Sequence, residues 1–73
     1  MQVLDTKGMN CPIPILKARK TLNGMSAGEA LEIHATDPGA VKDFEAFCRQ
    51  TGHELVESSK DGDVYKFIIQ HKN

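Results

Sequence analysis

Cys11 stands between Gly8-Met9-Asn10 and Pro12-Ile13-Pro14, and that setting gives a sulfur the makings of a nucleophile. Proline fixes φ and removes a backbone N–H donor, and it pushes the residue before it toward extended geometry. Cys11 is therefore expected on a stiff corner just ahead of a helix. The positive end of a helix dipole favours a thiolate, and the thiolate is the reactive form of cysteine. Pro12 and Pro14 take away two first-turn donors, which leaves the Ile13 N–H as the main donor toward a sulfur at the cap position. Modest activation is expected, from the dipole together with Arg19 or Lys20. The competing reading is a buried cysteine acting as a small hydrophobe, and the paired prolines argue against it.

The flanking residues Met9 and Ile13 either form a small apolar rim where a partner docks or pack into the core. Cys48 lies on an apolar helical stripe and reads as core, the alternative being a resolving or redox cysteine. The two cysteines form no CxxC pair and no disulfide framework, so both are expected to be thiols in a reducing compartment. The spacing of His34, His53 and His71 matches no common zinc pattern. No metal and no cofactor is expected. No local arrangement supports a Ser-His-Asp or Cys-His catalytic site, and there is no glycine-rich phosphate loop.

The formal net charge is −1, so the chain has no global basic field for nucleic acid. The charges are nonetheless uneven. Lys7, Lys17, Arg19 and Lys20 occupy residues 7–20 without an acid, whereas nine acids from Glu29 to Asp63 face only Lys42, Arg49 and Lys60. The basic part surrounds Cys11. It either lowers the thiol pKa and attracts an acidic partner or is simply a solvated helix face. The poverty of aromatics also speaks against direct nucleic-acid binding. No apolar run is long enough for a membrane span and the opening residues do not read as a secretory leader, so the cytoplasm is the expected compartment.

The elements that would position Cys11 can be read in order. Gln2 to Thr6 is a short strand and Gly8 a loop. Ile15, Leu16, Ala18 and Leu22 mark the apolar stripe of a helix, stopped at Asn23-Gly24 by a residue that tolerates the left-handed conformation. Leu31, Ile33 and Ala35 alternate with polar residues as a half-buried strand. Asp37-Pro38 reads as N-cap and first residue of a second helix, whose stripe is Val41, Phe44, Phe47 and Cys48 and which ends at Gly52. His53 to Ser58 is a third strand, Asp61-Gly62 a hairpin turn, and Val64 to Gln70 a fourth strand with Tyr65, Phe67 and Ile69 on one face. The expected fold is α/β, a two-layer sandwich in the order β-α-β-α-β-β, with two helices on one face of a four-stranded mixed sheet. A single domain over 1–73 is expected.

These landmarks resemble the TusA/SirA/YeeD-like family of sulfur carriers. The resemblance rests on Gly8 with Cys11-Pro12-Ile13-Pro14, then Arg19-Lys20-Thr21, Gly28-Glu29, Thr36-Asp37-Pro38, Phe47-Cys48 and His53-Glu54-Leu55, and it covers nearly the whole chain. It implies the same compact fold. It also implies a sulfurtransferase-type carrier whose CPxP cysteine, here Cys11, accepts sulfane sulfur as a persulfide and passes it on. Pro12 and Pro14 complete the motif, and the family's basic helix residue falls on Arg19 with Lys20 beside it. The implied partners are a sulfur donor (a cysteine desulfurase, a rhodanese-like protein or a thiosulfate system) and an acceptor protein with a reactive cysteine. The relay would lead to tRNA thiolation, molybdenum cofactor assembly or sulfur oxidation. A monomer is expected, because Cys11 must meet two different proteins. The alternative is a small regulatory or protein-binding module in which Cys11 is not used chemically.

Overall fold

The computed structural model describes residues 2–72; Met1 and Asn73, which the expected domain of 1–73 takes in, lie outside the described residues. The elements follow the order β1 (Gln2–Thr6), α1 (Ile13–Asn23), β2 (Ala30–Ala35), α2 (Ala40–Thr51), β3 (Glu54–Asp61) and β4 (Val64–Gln70). The four strands form one sheet in the order β1-β2-β4-β3. β1 runs parallel to β2, with Gln2 opposite Leu31 and Thr6 opposite Ala35, and the other two pairings are antiparallel. The sheet is therefore mixed, as the sequence led us to expect.

Alternation decides which face of the sheet the helices cover. Leu31, Ile33 and Ala35 on β2, and Phe67 and Ile69 on β4, are fully buried, and they meet Ala18 and Leu22 of α1 and Ala40, Phe44, Phe47 and Cys48 of α2 in one core. Phe44 and Phe67 pack with ring centroids 4.8 Å apart. Cys48 lies in this core, where burial pushes its thiol up to about 11. Among the described residues no helix is long and apolar enough to cross a membrane.

Three local expectations are corrected. Leu16 was placed on the buried stripe of α1 but is 57% exposed. The buried residues are Pro14, Ala18 and Leu22, and Leu16 lies roughly 160° around the helix from their centre at about 100° per residue. Gly24 does not adopt the left-handed conformation; at φ −92° its N–H closes onto Thr21 in a tight last turn. Gly52, by contrast, ends α2 in the left-handed region at φ +85°. The third correction concerns the start of α2, which lies at Ala40 with Gly39 in the cap position. Asp37 and Pro38 form the turn leading into it, and Asp37 acts from two positions before the cap, its Oδ1 accepting the Gly39 N–H at 3.0 Å.

Because Phe44 anchors the shared core and Leu16 does not, their truncations should separate cleanly. Phe44→Ala should cost about 3–5 kcal/mol and Leu16→Ala within about 0.5 kcal/mol. Urea denaturation of both variants checks this.

Candidate functional site

A parallel β1-α1-β2-α2 run brings the loop after β1 and the loop after β2 to the same edge of the sheet, with the start of both helices beside them. Cys11 sits in the first of these loops. Its position follows from a short series of hydrogen bonds. The Thr6 hydroxyl donates to the His34 carbonyl at 2.7 Å, and the Gly8 N–H donates to Thr36 Oγ1 at 2.9 Å. Gly8 takes φ +82°, a conformation that glycine adopts without steric cost. The Cys11 N–H then donates to Asp37 Oδ2 at 2.9 Å. One carboxylate thus holds the Cys11 backbone with one oxygen and the approach to α2 with the other.

Cys11 is exposed, so the reading of it as a buried hydrophobe fails. Its peptide bond to Pro12 is cis, Pro12 caps α1, and Pro14 is buried in the first turn. Cys11 opens onto a shallow cavity of about 200 Å³ between α1 and α2, with Pro12, Ile15, Arg19, Asp43 and Phe47 among its walls. Arg19 is therefore brought to the cysteine. Its guanidinium lies 5.7 Å from the centre of the Phe47 ring, a cation–π distance. Lys20 is exposed in the last turn of α1 and does not line the cavity. Ile13 is 43% exposed and, with Leu16, gives α1 an apolar outer face. Met9 is half-buried. Of the two flanking residues, only Ile13 stands on an open rim.

The electrostatics overturn one expectation. The dipole and the basic residues were expected to lower the Cys11 pKa, but it is raised. The first cause is a hydrogen bond from the thiol to the Asp43 carboxylate. Burial against neighbouring atoms adds to it, and the negative charges of Asp43 and then Asp37 complete it. The helix N-terminus does not offset this, because the Ile13 N–H is already bonded to the Asn10 carbonyl at 2.8 Å. Pro12 and Pro14 have no N–H to offer.

Asp43 was missed, as was the second role of Asp37. Asp43 lies in the first turn of α2, where an acid is favourable to the helix dipole in any case. The available signal was topological: parallel β1 and β2 imply that the two helices begin at one sheet edge, so an acid at the start of α2 faces the loop that opens α1. A larger cavity of about 280 Å³ lies on the uncovered face of the sheet, with His34 and Lys66 among its walls, and it holds no cysteine.

Comparison with known proteins adds the family. Residues 2–71 match the family described as sulfurtransferase TusA. The chain is 58% identical to the sulfur carrier protein TusA of Allochromatium vinosum over 69 residues, covering 94% of this chain and 91% of that protein. It is 51% identical over 71 residues to a putative sulfur carrier protein of Neisseria meningitidis serogroup A, with 97% and 96% covered. The crystal structure of a SirA-like protein from Desulfitobacterium hafniense has the same fold, with a TM-score of 0.86 over the full length of both chains at 24% identity.

Removal of the Asp43 charge should lower the Cys11 pKa and increase its thiolate at neutral pH. In Asp43→Asn the midpoint of the pH–rate profile for alkylation by iodoacetamide should move down. The rate at pH 7 should rise about threefold per pH unit of that movement, since lost intrinsic nucleophilicity offsets part of the gain in thiolate. Peptide mapping of the same samples should show Cys48 unmodified in the native protein.

Proposed function

The chain belongs to the sulfurtransferase TusA family, and from that premise we propose that Cys11 carries sulfane sulfur as a persulfide between a donor and an acceptor protein. Sulfur transfer in the broad sense is the property of the family; the use of Cys11 is our reading. The observation that carries it is the exposure of Cys11 at the mouth of an open cavity while its backbone is tied to Asp37. A carrier sulfur must be reachable by two proteins in turn and yet be held in place, and this arrangement meets both needs.

The reaction needs no redox cofactor. A donor persulfide presents its outer sulfur, the Cys11 thiolate attacks it, and the donor leaves as a thiolate. An acceptor thiolate then attacks the outer sulfur of the Cys11 persulfide, and Cys11 leaves as a thiolate. Both steps are exchanges of the thiol–disulfide kind, governed by thiolate fraction, leaving-group pKa and access. Pro12 and Pro14 define the corner, Arg19 supplies a cation on the cavity wall, and the exposed Ile13 supplies part of the surface on which a partner rests. Lys20, further along α1, belongs to the basic surface that a partner meets.

We place residues 1–73 as a single carrier unit acting as a monomer in the cytoplasm. The proposed donors are a cysteine desulfurase, a rhodanese-like protein or a thiosulfate-handling system. The acceptor is a protein with a reactive cysteine, in a relay toward thiolated tRNA, molybdenum cofactor or sulfur oxidation.

Intact mass spectrometry without reductant tests this. After incubation with a cysteine desulfurase and cysteine, and separately with a rhodanese and thiosulfate, the wild type should gain one sulfur atom that dithiothreitol removes. Cys11→Ser should gain none, and Cys48→Ala should load like the wild type. A folded protein with a titratable Cys11 that gains no sulfur from either donor would instead favour a binding module in which Cys11 is not used.

A further inference from the structure

The charge around Cys11 does not match the basic stretch of sequence in which Cys11 lies. Asp43 shares the cavity wall with the sulfur, and Asp37 is bonded to the Cys11 backbone. Among the described residues neither carboxylate has a cation within 4.0 Å. Arg19 lines the same cavity, but its guanidinium lies over the Phe47 ring. The carboxylates that act on the Cys11 sulfur, Asp43 first and then Asp37, are thus uncompensated by any ion pair among the described residues. A sulfur compound that reacts with Cys11 must bring its own sulfur to this mouth, and its charge meets Asp43 there.

We propose that Asp43 is a specificity-determining residue of this site: it favours sulfur donors and acceptors that carry positive charge beside their reacting sulfur, and it disfavours small anionic sulfur compounds. The proposal rests on the reading of Cys11 as the carrier cysteine. It deepens that reading by stating the charge class of what Cys11 exchanges with.

The transfer step accommodates this directly. A cation beside the donor persulfide pairs with Asp43, and the Cys11 thiol loses its acceptor and releases its proton to water. The Cys11 sulfur bonds to the outer sulfur of the donor as the donor S–S bond breaks. The electron pair of that bond stays on the donor sulfur, which the same cation stabilises until it takes up a proton. The net change is donor persulfide plus Cys11 thiol giving donor thiol plus Cys11 persulfide, with no external oxidant or reductant. A free anion such as thiosulfate brings no such cation and approaches against the charge of Asp43.

The test uses simple disulfides that differ in charge, so it needs no identified partner. Mixed-disulfide formation at Cys11 is followed by intact mass with cystamine, a dication, and dithiodiglycolate, a dianion, with neutral 2-hydroxyethyl disulfide as reference. Each rate is divided by the rate with the neutral reagent. At low salt the wild type should prefer the cation. Asp43→Asn should lower the normalised cation rate and raise the normalised anion rate by about fivefold each, the factor that one unit charge about 4 Å away is worth in bulk water, so the cation-to-anion ratio should fall about 25-fold. Asp43→Glu should keep most of the preference, and 1 M salt, which screens beyond about 3 Å, should remove it from the wild type. Arg19→Gln should increase it. Equal ratios in the wild type and Asp43→Asn would overturn the proposal. So would a loss in Asp43→Glu as large as in Asp43→Asn while its urea midpoint stays that of the wild type, because the position rather than the charge would then be responsible. The ratio is measured without loading sulfur. A failure of persulfide formation with the desulfurase therefore counts against the carrier reading alone.

Discussion

The carboxylate of Asp37 is the constraint on which the site depends. Its two oxygens accept from two different segments, Gly39 N–H at the entry to α2 and Cys11 N–H in the loop after β1. A side-chain oxygen capping a helix entry is worth about 1 kcal/mol on its own. Here the same group also fixes the backbone from which the Cys11 sulfur projects. The Gly8–Thr36 hydrogen bond and the Thr6–His34 hydrogen bond tie the same two loops further back. Cys11 is exposed, but the chain that carries it is held at several points.

The electrostatic character of the sulfur follows from which groups that arrangement brings near. A cysteine before a helix in a basic stretch is ordinarily expected to be acidic. In this fold the Ile13 N–H, between the two prolines, bonds to Asn10, and the charges that act on Cys11 come from the loop before α2 and its first turn. The resting protein therefore holds Cys11 as a thiol. A thiol of raised pKa is a stronger nucleophile once ionised and a poorer leaving group when sulfur is passed on. Such a balance suits the carrier role proposed for Cys11, in which a docked protein times the chemistry.

The scaffold behind the site is small, and its economy lies in the alternation of the central strands. β2 and β4 lie in the middle of the sheet and give one face to the helices, where Phe44, Phe67, Leu31, Ile33 and Ile69 are fully buried. α1 buries only a narrow stripe that includes the small Ala18, which leaves its other sides free. Arg19 turns toward α2 and the cavity, and Ile13 and Leu16 remain on the surface next to Cys11. The same stripe that anchors α1 thus decides which of its residues a partner can touch.

The sequence by itself determined the order and type of the elements, the alternating faces of β2 and β4, the stripe of α2 and the corner at Cys11-Pro12-Ile13-Pro14. These depend on side-chain period and on proline and glycine geometry, which are local properties of the chain. The tertiary structure alone decided which charges face the sulfur. Asp43 lies 32 positions after Cys11 and meets it only because β1 and β2 are parallel neighbours and the helices begin at one edge of the sheet. Lys20 lies nine positions after Cys11 and does not reach the cavity. Local rules describe how a segment folds, whereas the field at an atom sums over whatever the fold places within a few ångströms of it. The exposure of Leu16 was likewise settled by the direction from which the sheet and α2 approach α1.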